Sequence, residues 1–203
     1  MEIESQIINP LETYHIGDTI QFVSNFSKIR PGYDSEYNYL GNYDMSNYKW
    51  HPGTYIVQLD TSEFAATYID KHFEFIRNPE YDYNLYKYSK GTSELGGEYT
   101  YKNDSFYLDF KVVTRKEGVF ALFHNSGIQA GAFQQQDFSG KCGKYDGIDV
   151  YTIMKDSAKM NIQLLRLSPN NFYNSTLLDV VLFPNKGILY HQTMGIFCFR
   201  VVP

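Results

Sequence analysis

Apolar and polar residues alternate along many short stretches of this 203-residue chain, and this alternation most limits the folds it can adopt. A period of two is typical of a β-strand that buries one face. The clearest example is the segment 98–113, where the turn residues Asn103-Asp104 divide two alternating runs. Asn and Asp tolerate the left-handed backbone of a tight turn, so the segment predicts a β-hairpin. Its second strand would bury Phe106, Leu108, Phe110 and Val112.

The same pattern predicts further strands along the chain. Gly118–His124 is apolar on both faces, which favours a central strand covered on both sides. Ser62–Phe75 has features of both helix and strand. The remaining predicted strands are Thr19–Phe26, Thr54–Leu59, Leu177–Phe183, Gly187–Gln192 and Gly195–Val202.

Helix-forming sequence is scarce. Asp156–Leu167 is the best candidate for a helix, and Ser168-Pro169 would end it because the residue before proline avoids the α region. Ile29–Trp50 and Asn125–Gly147 are typical of long loops, which are often functional. Frequent turn signals without helical crossovers predict a mainly β chain. We expect an antiparallel β-sandwich, formed as a single domain over residues 1–203, with one short helix and two long loops.

Composition and charge exclude several classes of protein. Aromatic residues make up 17% of the chain, which is too many for a disordered tail. The net charge of -5 argues against a nucleic-acid-binding protein. No apolar run approaches the roughly 20 residues of a membrane-spanning helix. The residues Met1–Ser5 lack the features of a secretory signal, so the sequence is that of either a cytosolic protein or a mature domain without its leader.

The two cysteines, Cys142 and Cys198, leave two alternatives open. They could form one disulfide in an oxidising compartment. Alternatively, Cys198 is a buried free thiol within an apolar strand and Cys142 is unpaired. Neither residue belongs to a Cys-x-x-Cys pair, and the chain has no His-Glu-x-x-His helix. We therefore expect neither a metal site nor a cofactor.

A catalytic function is the alternative to a binding function. Cys142 lies close to two lysines that could lower the pKa of its thiol, and His124 or His191 could act as its base. His72 and Glu74 would share one face of a strand and could transfer a proton. A pair of acids could also hydrolyse a glycosidic bond, but the separation of two carboxylates is a spatial quantity. These patterns are the basis of the alternative hypothesis, a hydrolase that uses Cys142 or a pair of acidic residues.

The first predicted loop is rich in aromatic residues between Tyr33 and Trp50, and it is the most suggestive candidate for a binding site. Its rings have flat apolar faces with a polar edge, which suit stacking on sugars or packing at protein interfaces. The alternative is that the same rings cover the end of a sheet as part of the core. The candidate ligand-binding residues are Tyr33, Tyr37, Tyr39, Tyr43, Tyr48 and Trp50.

Both ends of the chain carry a family resemblance. Tyr14–Phe22 reads Tyr-His-Ile-Gly-Asp-Thr-Ile-Gln-Phe, and the tail contains Gly187–Tyr190 and Ile196–Val201. These segments resemble the first and last strands of the exported surface lipoproteins of Bacteroidetes, a group without a common characterised function. The resemblance covers about a quarter of the chain. It implies a β-sandwich held at the membrane only through a lipid on an upstream cysteine, and it implies no catalytic residues.

The leading hypothesis is therefore a non-enzymatic binding or structural module that is exported to the periplasm or the outer-membrane surface. Its ligand would be a glycan, which makes it a carbohydrate-binding protein, or a partner protein. Nucleic acid is not expected as a partner. The alternatives are the hydrolase described above and a structural subunit of a surface assembly, which would form oligomers through sheet edges.

Overall fold

The computed structural model of the protein describes residues 1–33, 38–61, 69–88, 92–127, 150–155, 161–169 and 194–203. Most of these residues lie in strands. The strands are β1 (Glu2–Ile8), β2 (Thr13–His15), β3 (Thr19–Ser27), β4 (Ile29–Tyr33), β5 (Tyr39–Asp44), β6 (Gly53–Gln58), β7 (Phe73–Ile76), β8 (Tyr83–Lys87), β9 (Ser93–Gly97), β10 (Thr100–Lys102), β11 (Ser105–Thr114), β12 (Gly118–Asn125), β13 (Tyr151–Met154) and β14 (Met194–Val202). The helices are α1 (Ile69–His72) and a 3₁₀ helix (Ile162–Leu167).

Within the described ranges, these strands form two large sheets and one small one. The first sheet has the order β10-β11-β3-β1-β13, with β7 paired to β11, and the second has the order β2-β14-β12-β6-β9-β8. Strands β4 and β5 form a separate two-stranded sheet. The pairs β1–β13 and β2–β14 are parallel, whereas the other pairs are antiparallel. The prediction of a mainly β, largely antiparallel sandwich is confirmed.

The predicted hairpin of residues 98–113 is present as β10 and β11. Lys102 pairs with Ser105, so Asn103 and Asp104 alone form the turn. Their φ angles are 49° and 59°, which is the left-handed conformation that a type I′ turn requires at both central positions. Every second residue of β11 is buried, including all four predicted core positions. The alternation therefore identified both the turn and the buried face.

The core lies between the two large sheets and is mainly aromatic. Phe22 and Phe110 of the first sheet stack with ring centroids 4.9 Å apart, and Tyr83 of the second sheet stacks on Phe110 at 5.2 Å. Phe120 and Phe199 continue the cluster within the second sheet. Because aromatic side chains bury a large area each, these contacts hold the two sheets face to face.

Strand β12 is covered on both faces, as its sequence predicts. It lies between β6 and β14 in the second sheet. Phe120 and Leu122 point into the core between the sheets, whereas Ala121 and Phe123 belong to a second apolar cluster on the opposite face. Leu164 and Leu165 of the 3₁₀ helix are part of that second cluster. The helix therefore packs against the outer face of the second sheet.

Two parts of the expected fold differ in detail. Of the helix predicted at 156–167, the described part is a 3₁₀ helix over Ile162–Leu167, and Asn161 before it has a left-handed φ of 52°. Residues 156–160 lie outside the described residues. Ser168 is extended and ends the helix before Pro169, as predicted. In the ambiguous stretch 62–75, α1 leads directly into β7.

The first predicted loop, Ile29–Trp50, contains the paired strands β4 and β5. Its glycines and proline favoured a loop, but Pro31, Gly32 and Gly41 lie within the two paired strands. Most of the second predicted loop lies outside the described residues, and so do the predicted strands Leu177–Phe183 and Gly187–Gln192. In the part of the chain that the structure describes, no helix combines the length and hydrophobicity needed to span a membrane.

Gly97 offers a test of the β8–β9 pairing. Its φ is 155°, and a Cβ at this position would lie 1.8 Å from the carbonyl oxygen of Asp82. Gly17 also has a positive φ, of 99°, but nothing lies within 4 Å of its Cβ position. We expect Gly97→Ala to lower the free energy of unfolding by roughly 3 kcal/mol or more, and Gly17→Ala by about 1–2 kcal/mol. Urea denaturation of both variants measures the difference, and equal losses would contradict the close backbone approach at Gly97.

Candidate functional site

The small β4–β5 sheet places the predicted aromatic residues on its two faces. Residues directly opposite each other in a ladder share a face, and neighbours along a strand alternate. Arg30 pairs with Tyr43 and Gly32 with Gly41, so these four side-chain positions form one face. A bulge after Gly32 then brings Tyr33 opposite Tyr39.

The face that contains Arg30 packs against the body of the protein. The Arg30 guanidinium donates a hydrogen bond to the carbonyl oxygen of Glu2 and lies 6.0 Å from the centre of the Phe26 ring. Burial lowers the pKa of Arg30. Tyr43 is half-buried and packs on the core, with its ring across Gly32.

Core residues at the end of the hairpin hold it in place. Met45 is fully buried and donates its N–H to the carbonyl of Lys28 at 2.8 Å. The Trp50 ring is only 2% exposed and lies 4.8 Å from the Phe26 ring and 5.6 Å from the Phe106 ring. The hairpin is thus attached to a rigid aromatic cluster at the end of the sandwich.

Four large apolar side chains of the hairpin are exposed. Ile29 and Tyr33 are each 40% exposed, Leu40 is 46% exposed and Tyr39 is 58% exposed. The rings of Tyr33 and Tyr39 are in contact, with centroids 6.0 Å apart and planes inclined at 62°. We call these four residues the hairpin face. Clustered exposed apolar side chains of this kind mark interaction sites.

The structure divides the predicted ligand-binding residues into three groups. Tyr33 and Tyr39 are exposed on the hairpin face, whereas Tyr43 and Tyr48 are half-buried against the core. Trp50 is a core residue, because its ring is enclosed by other aromatic rings and cannot reach a ligand. Tyr37 lies outside the described residues.

Sequence reasoning missed two members of the hairpin face, Ile29 and Leu40. Both residues lie in the predicted loop Ile29–Trp50, and a loop has no regular alternation from which a face could be assigned. The alternation Ile29-Arg30-Pro31-Gly32-Tyr33 was the available signal, since it places Ile29 and Tyr33 on one side of a strand. Pro31 argued against a strand at this position, because proline cannot donate a backbone hydrogen bond within a sheet.

A second unusual feature is a chain of buried hydrogen bonds that crosses the core. His124 of β12 is completely buried, and its Nδ1 lies 2.8 Å from the Thr54 hydroxyl of β6. Its Nε2 lies 3.0 Å from the Tyr99 hydroxyl, which in turn donates to Ser24 of β3 at 3.1 Å. At the other end, the Tyr83 hydroxyl lies 2.7 Å from Thr54. The chain therefore connects the second sheet with the first.

The directions of these hydrogen bonds indicate which ring nitrogen of His124 carries the proton. Ser24 donates its proton to the carbonyl of Glu4 at 3.0 Å, so its oxygen accepts from Tyr99. The Tyr99 oxygen then accepts from Nε2–H of His124, and Nδ1 of the neutral ring accepts from Thr54. This arrangement requires the Tyr83 hydroxyl to donate its proton to Thr54 at 2.7 Å rather than to the Leu95 carbonyl at 3.2 Å. Desolvation by the surrounding core lowers the pKa of His124 to about 3, so the ring is neutral.

This arrangement bears on the catalytic alternative. Both nitrogens of His124 are engaged within the core, so this residue has no free nitrogen with which to activate a thiol. Cys142 and His191 lie outside the described residues. Cys198 lies buried in the second apolar cluster and has no disulfide partner among the described residues, and burial raises the pKa of its thiol. Its burial agrees with the alternative of a small apolar core residue, and the disulfide with Cys142 stays a prediction.

The two residues of the second catalytic candidate, His72 and Glu74, lie in different surroundings. His72 ends α1 and is buried against the Phe120 ring, with Nε2 3.4 Å from the Lys116 ammonium. Glu74 lies on β7 and forms an ion pair with Arg115. The pairing was expected because both residues were placed on one strand, but α1 turns into β7 between them. Each side chain therefore has a different neighbour.

Comparison with known proteins gives no family: no protein-family model matches the chain, and no curated protein is similar to it. Within the described residues, no group of three His, Cys, Asp or Glu side chains is arranged to hold a metal ion. In the part of the chain that the structure describes, the exposed hairpin face is the arrangement that points most directly to a function.

The buried histidine predicts how stability depends on pH. An unfolded histidine titrates near pH 6.5, well above the value of about 3 in the folded protein. Between these values the unfolded chain binds a proton that the folded chain does not. His124 should therefore make the free energy of unfolding fall as the pH falls below about 6.5, by up to about 1.4 kcal/mol per pH unit. His72 adds to this slope with the same sign, because burial lowers its pKa too. The facing phenols of Tyr83 and Tyr99 stay neutral, since burial raises their pKa.

Urea denaturation between pH 7 and 5 measures this slope. His124→Gln keeps an amide donor for Tyr99 but cannot titrate, so its unfolding free energy should change less over the same range. Equal slopes in the two proteins would contradict the assignment. NMR titration gives an independent check. The ring resonance of His124 is the one that is missing from the spectrum of His124→Gln, and its titration near pH 6 in the wild type would show that His124 is accessible.

Proposed function

We propose that this protein is a non-enzymatic binding module that contacts a partner protein through the hairpin face. One observation carries the proposal: the exposed rings of Tyr33 and Tyr39 are in contact, and Ile29 and Leu40 of the same hairpin are also exposed. Isolated exposed apolar residues are common, but a cluster on one element is typical of an interaction surface.

The firm attachment of the hairpin favours binding. Side chains that are ordered before association lose less conformational entropy when a partner is bound. Arg30, Tyr43 and Met45 fix the hairpin to the body, so the Tyr33–Tyr39 pair is presented by a structured support. Tyrosine is also enriched at protein interfaces, because it offers a large contact area with few rotatable bonds.

The geometry favours a protein over a glycan as the ligand. A sugar ring stacks best on a flat aromatic platform, whereas Tyr33 and Tyr39 are inclined at 62°. Ile29 and Leu40 beside them are aliphatic, and Trp50 is enclosed in the core. A surface of inclined tyrosines and aliphatic side chains resembles the apolar centre of a protein interface.

The proposed location is the periplasm or the outer-membrane surface. This part of the proposal rests on the resemblance of Tyr14–Phe22 and Ile196–Val201 to exported surface lipoproteins. A β-sandwich that carries a binding element at one end suits such a setting, because loops and hairpins on rigid sandwiches commonly carry function.

Replacing both exposed tyrosines tests the proposal. Tyr33→Ser with Tyr39→Ser should change the free energy of unfolding by no more than about 1 kcal/mol, because neither ring is in the core. Tyr86→Ser is the matched control, since Tyr86 is 46% exposed on β8 of the second sheet. After chemical cross-linking in the native cell, quantitative mass spectrometry should show an adduct that the double variant loses and that the control keeps.

Two outcomes would change the proposal. If the double variant and the control give the wild-type set of adducts, the hairpin face is not the binding surface. If the purified protein instead binds an immobilised glycan panel, and the double variant does not, the ligand is a carbohydrate rather than a protein.

A further inference from the structure

The edges of the β4–β5 sheet differ from each other in their capacity to accept another strand. In an antiparallel ladder, opposite residues alternate between pairs whose N–H and C=O groups point inward and pairs whose groups point outward. Met45 N–H bonds to the Lys28 carbonyl, which makes Ile29 and Asp44 an outward-pointing pair. The same parity makes Pro31 and Asn42 the next outward-pointing pair.

The outer edge of β4 is closed to strand addition. Pro31 has no N–H to offer. The N–H of Ile29 is already donated to the Ser27 hydroxyl at 3.2 Å. Proteins commonly protect exposed edges with proline, because an unprotected edge pairs with other chains.

The outer edge of β5 has no such protection. The backbone N–H and C=O groups of Asn42 and Asp44 point outward, and both residues are exposed. Among the described residues, neither amide has a hydrogen-bond partner. The ladder thus leaves two donor–acceptor pairs, two residues apart, facing solvent.

Side chains near this edge leave room for another strand. The Tyr43 ring leans over β4, since a Cβ on Gly32 would lie 2.3 Å from its Cε2. The ring is therefore directed away from the outer edge of β5. Gly41 adds no side chain, and nothing lies within 4 Å of its Cβ position.

We infer that β5 pairs with β5 of a second copy of the protein, antiparallel and centred on Tyr43. This register places Asn42 of each copy opposite Asp44 of the other, so both outward-pointing residues on each chain form backbone hydrogen bonds. The amide of Asn42 also faces a carboxylate rather than another amide, and no like charges are opposed. The edge is self-complementary, as a two-fold interface must be.

The resulting sheet has the order β4-β5-β5-β4 and ends at the two protected β4 edges. Growth therefore stops at a dimer, because Pro31 and the Ser27–Ile29 hydrogen bond block further pairing. The paired segment is short, so we expect weak association in the micromolar to millimolar range. This inference does not depend on the partner-binding function of the hairpin face.

Sedimentation velocity of the purified protein tests the inference. The wild-type mass should rise from monomer toward dimer between about 5 and 500 µM. Asn42→Pro removes the outward N–H without removing a hydrogen bond of the hairpin, so it should weaken association at least tenfold. Asn42→Ala is the matched control because it keeps the N–H, and it should associate like the wild type to within about threefold. The variant with serine at Tyr33 and Tyr39 should also dimerise.

Hydrogen exchange of the wild type decides the question if Asn42→Pro does not fold. The amides of Asn42 and Asp44 should exchange rapidly in dilute solution and become protected as the concentration rises. A wild-type protein that stays monomeric at 500 µM would overturn the inference. Association of a folded Asn42→Pro variant as strong as that of the wild type, or dimerisation without protection of these two amides, would also overturn it.

Discussion

The packing of one aromatic sheet face against another holds this β-sandwich together. Phe22 and Phe110 meet Tyr83 across the space between the sheets, so the first sheet is positioned by rings of the second. Burial of such rings contributes roughly 2–3 kcal/mol each and has little directionality. Rings alone would hold the sheets together without fixing their relative position.

The buried hydrogen bonds supply that position. His124 reaches Ser24 of the first sheet through Tyr99 while it is held by Thr54 of its own sheet. An unpaired polar group in the core costs about 1–3 kcal/mol, so shifting the sheets would leave several groups unsatisfied at once. We interpret this series of hydrogen bonds, with a neutral histidine at its centre, as the feature that fixes the position of one sheet relative to the other.

The β4–β5 hairpin depends on this core and carries both surfaces proposed to bind. Met45 and Trp50 join the hairpin to the aromatic cluster at the end of the sandwich. Its exposed apolar side chains are those of Ile29, Tyr33, Tyr39 and Leu40, whereas the backbone groups without a partner among the described residues lie along the edge of β5. A face and an edge are different surfaces, so a partner protein and a second copy could be bound together.

Much of the fold could be read from periodicity, as β3, β11 and β12 show. Local periodicity was enough to predict which residues of these strands are buried, because the alternation of side chains between two faces is a local property of an extended backbone. The three-dimensional contacts were needed to show that residues 29–44 contain a hairpin, that Trp50 is a core residue and that both ring nitrogens of His124 are hydrogen-bonded. Those outcomes depend on contacts between residues far apart in the chain, such as Arg30 with Glu2 and His124 with Thr54. Burial and hydrogen bonding at such positions are set by the packing of whole sheets, which no local pattern records.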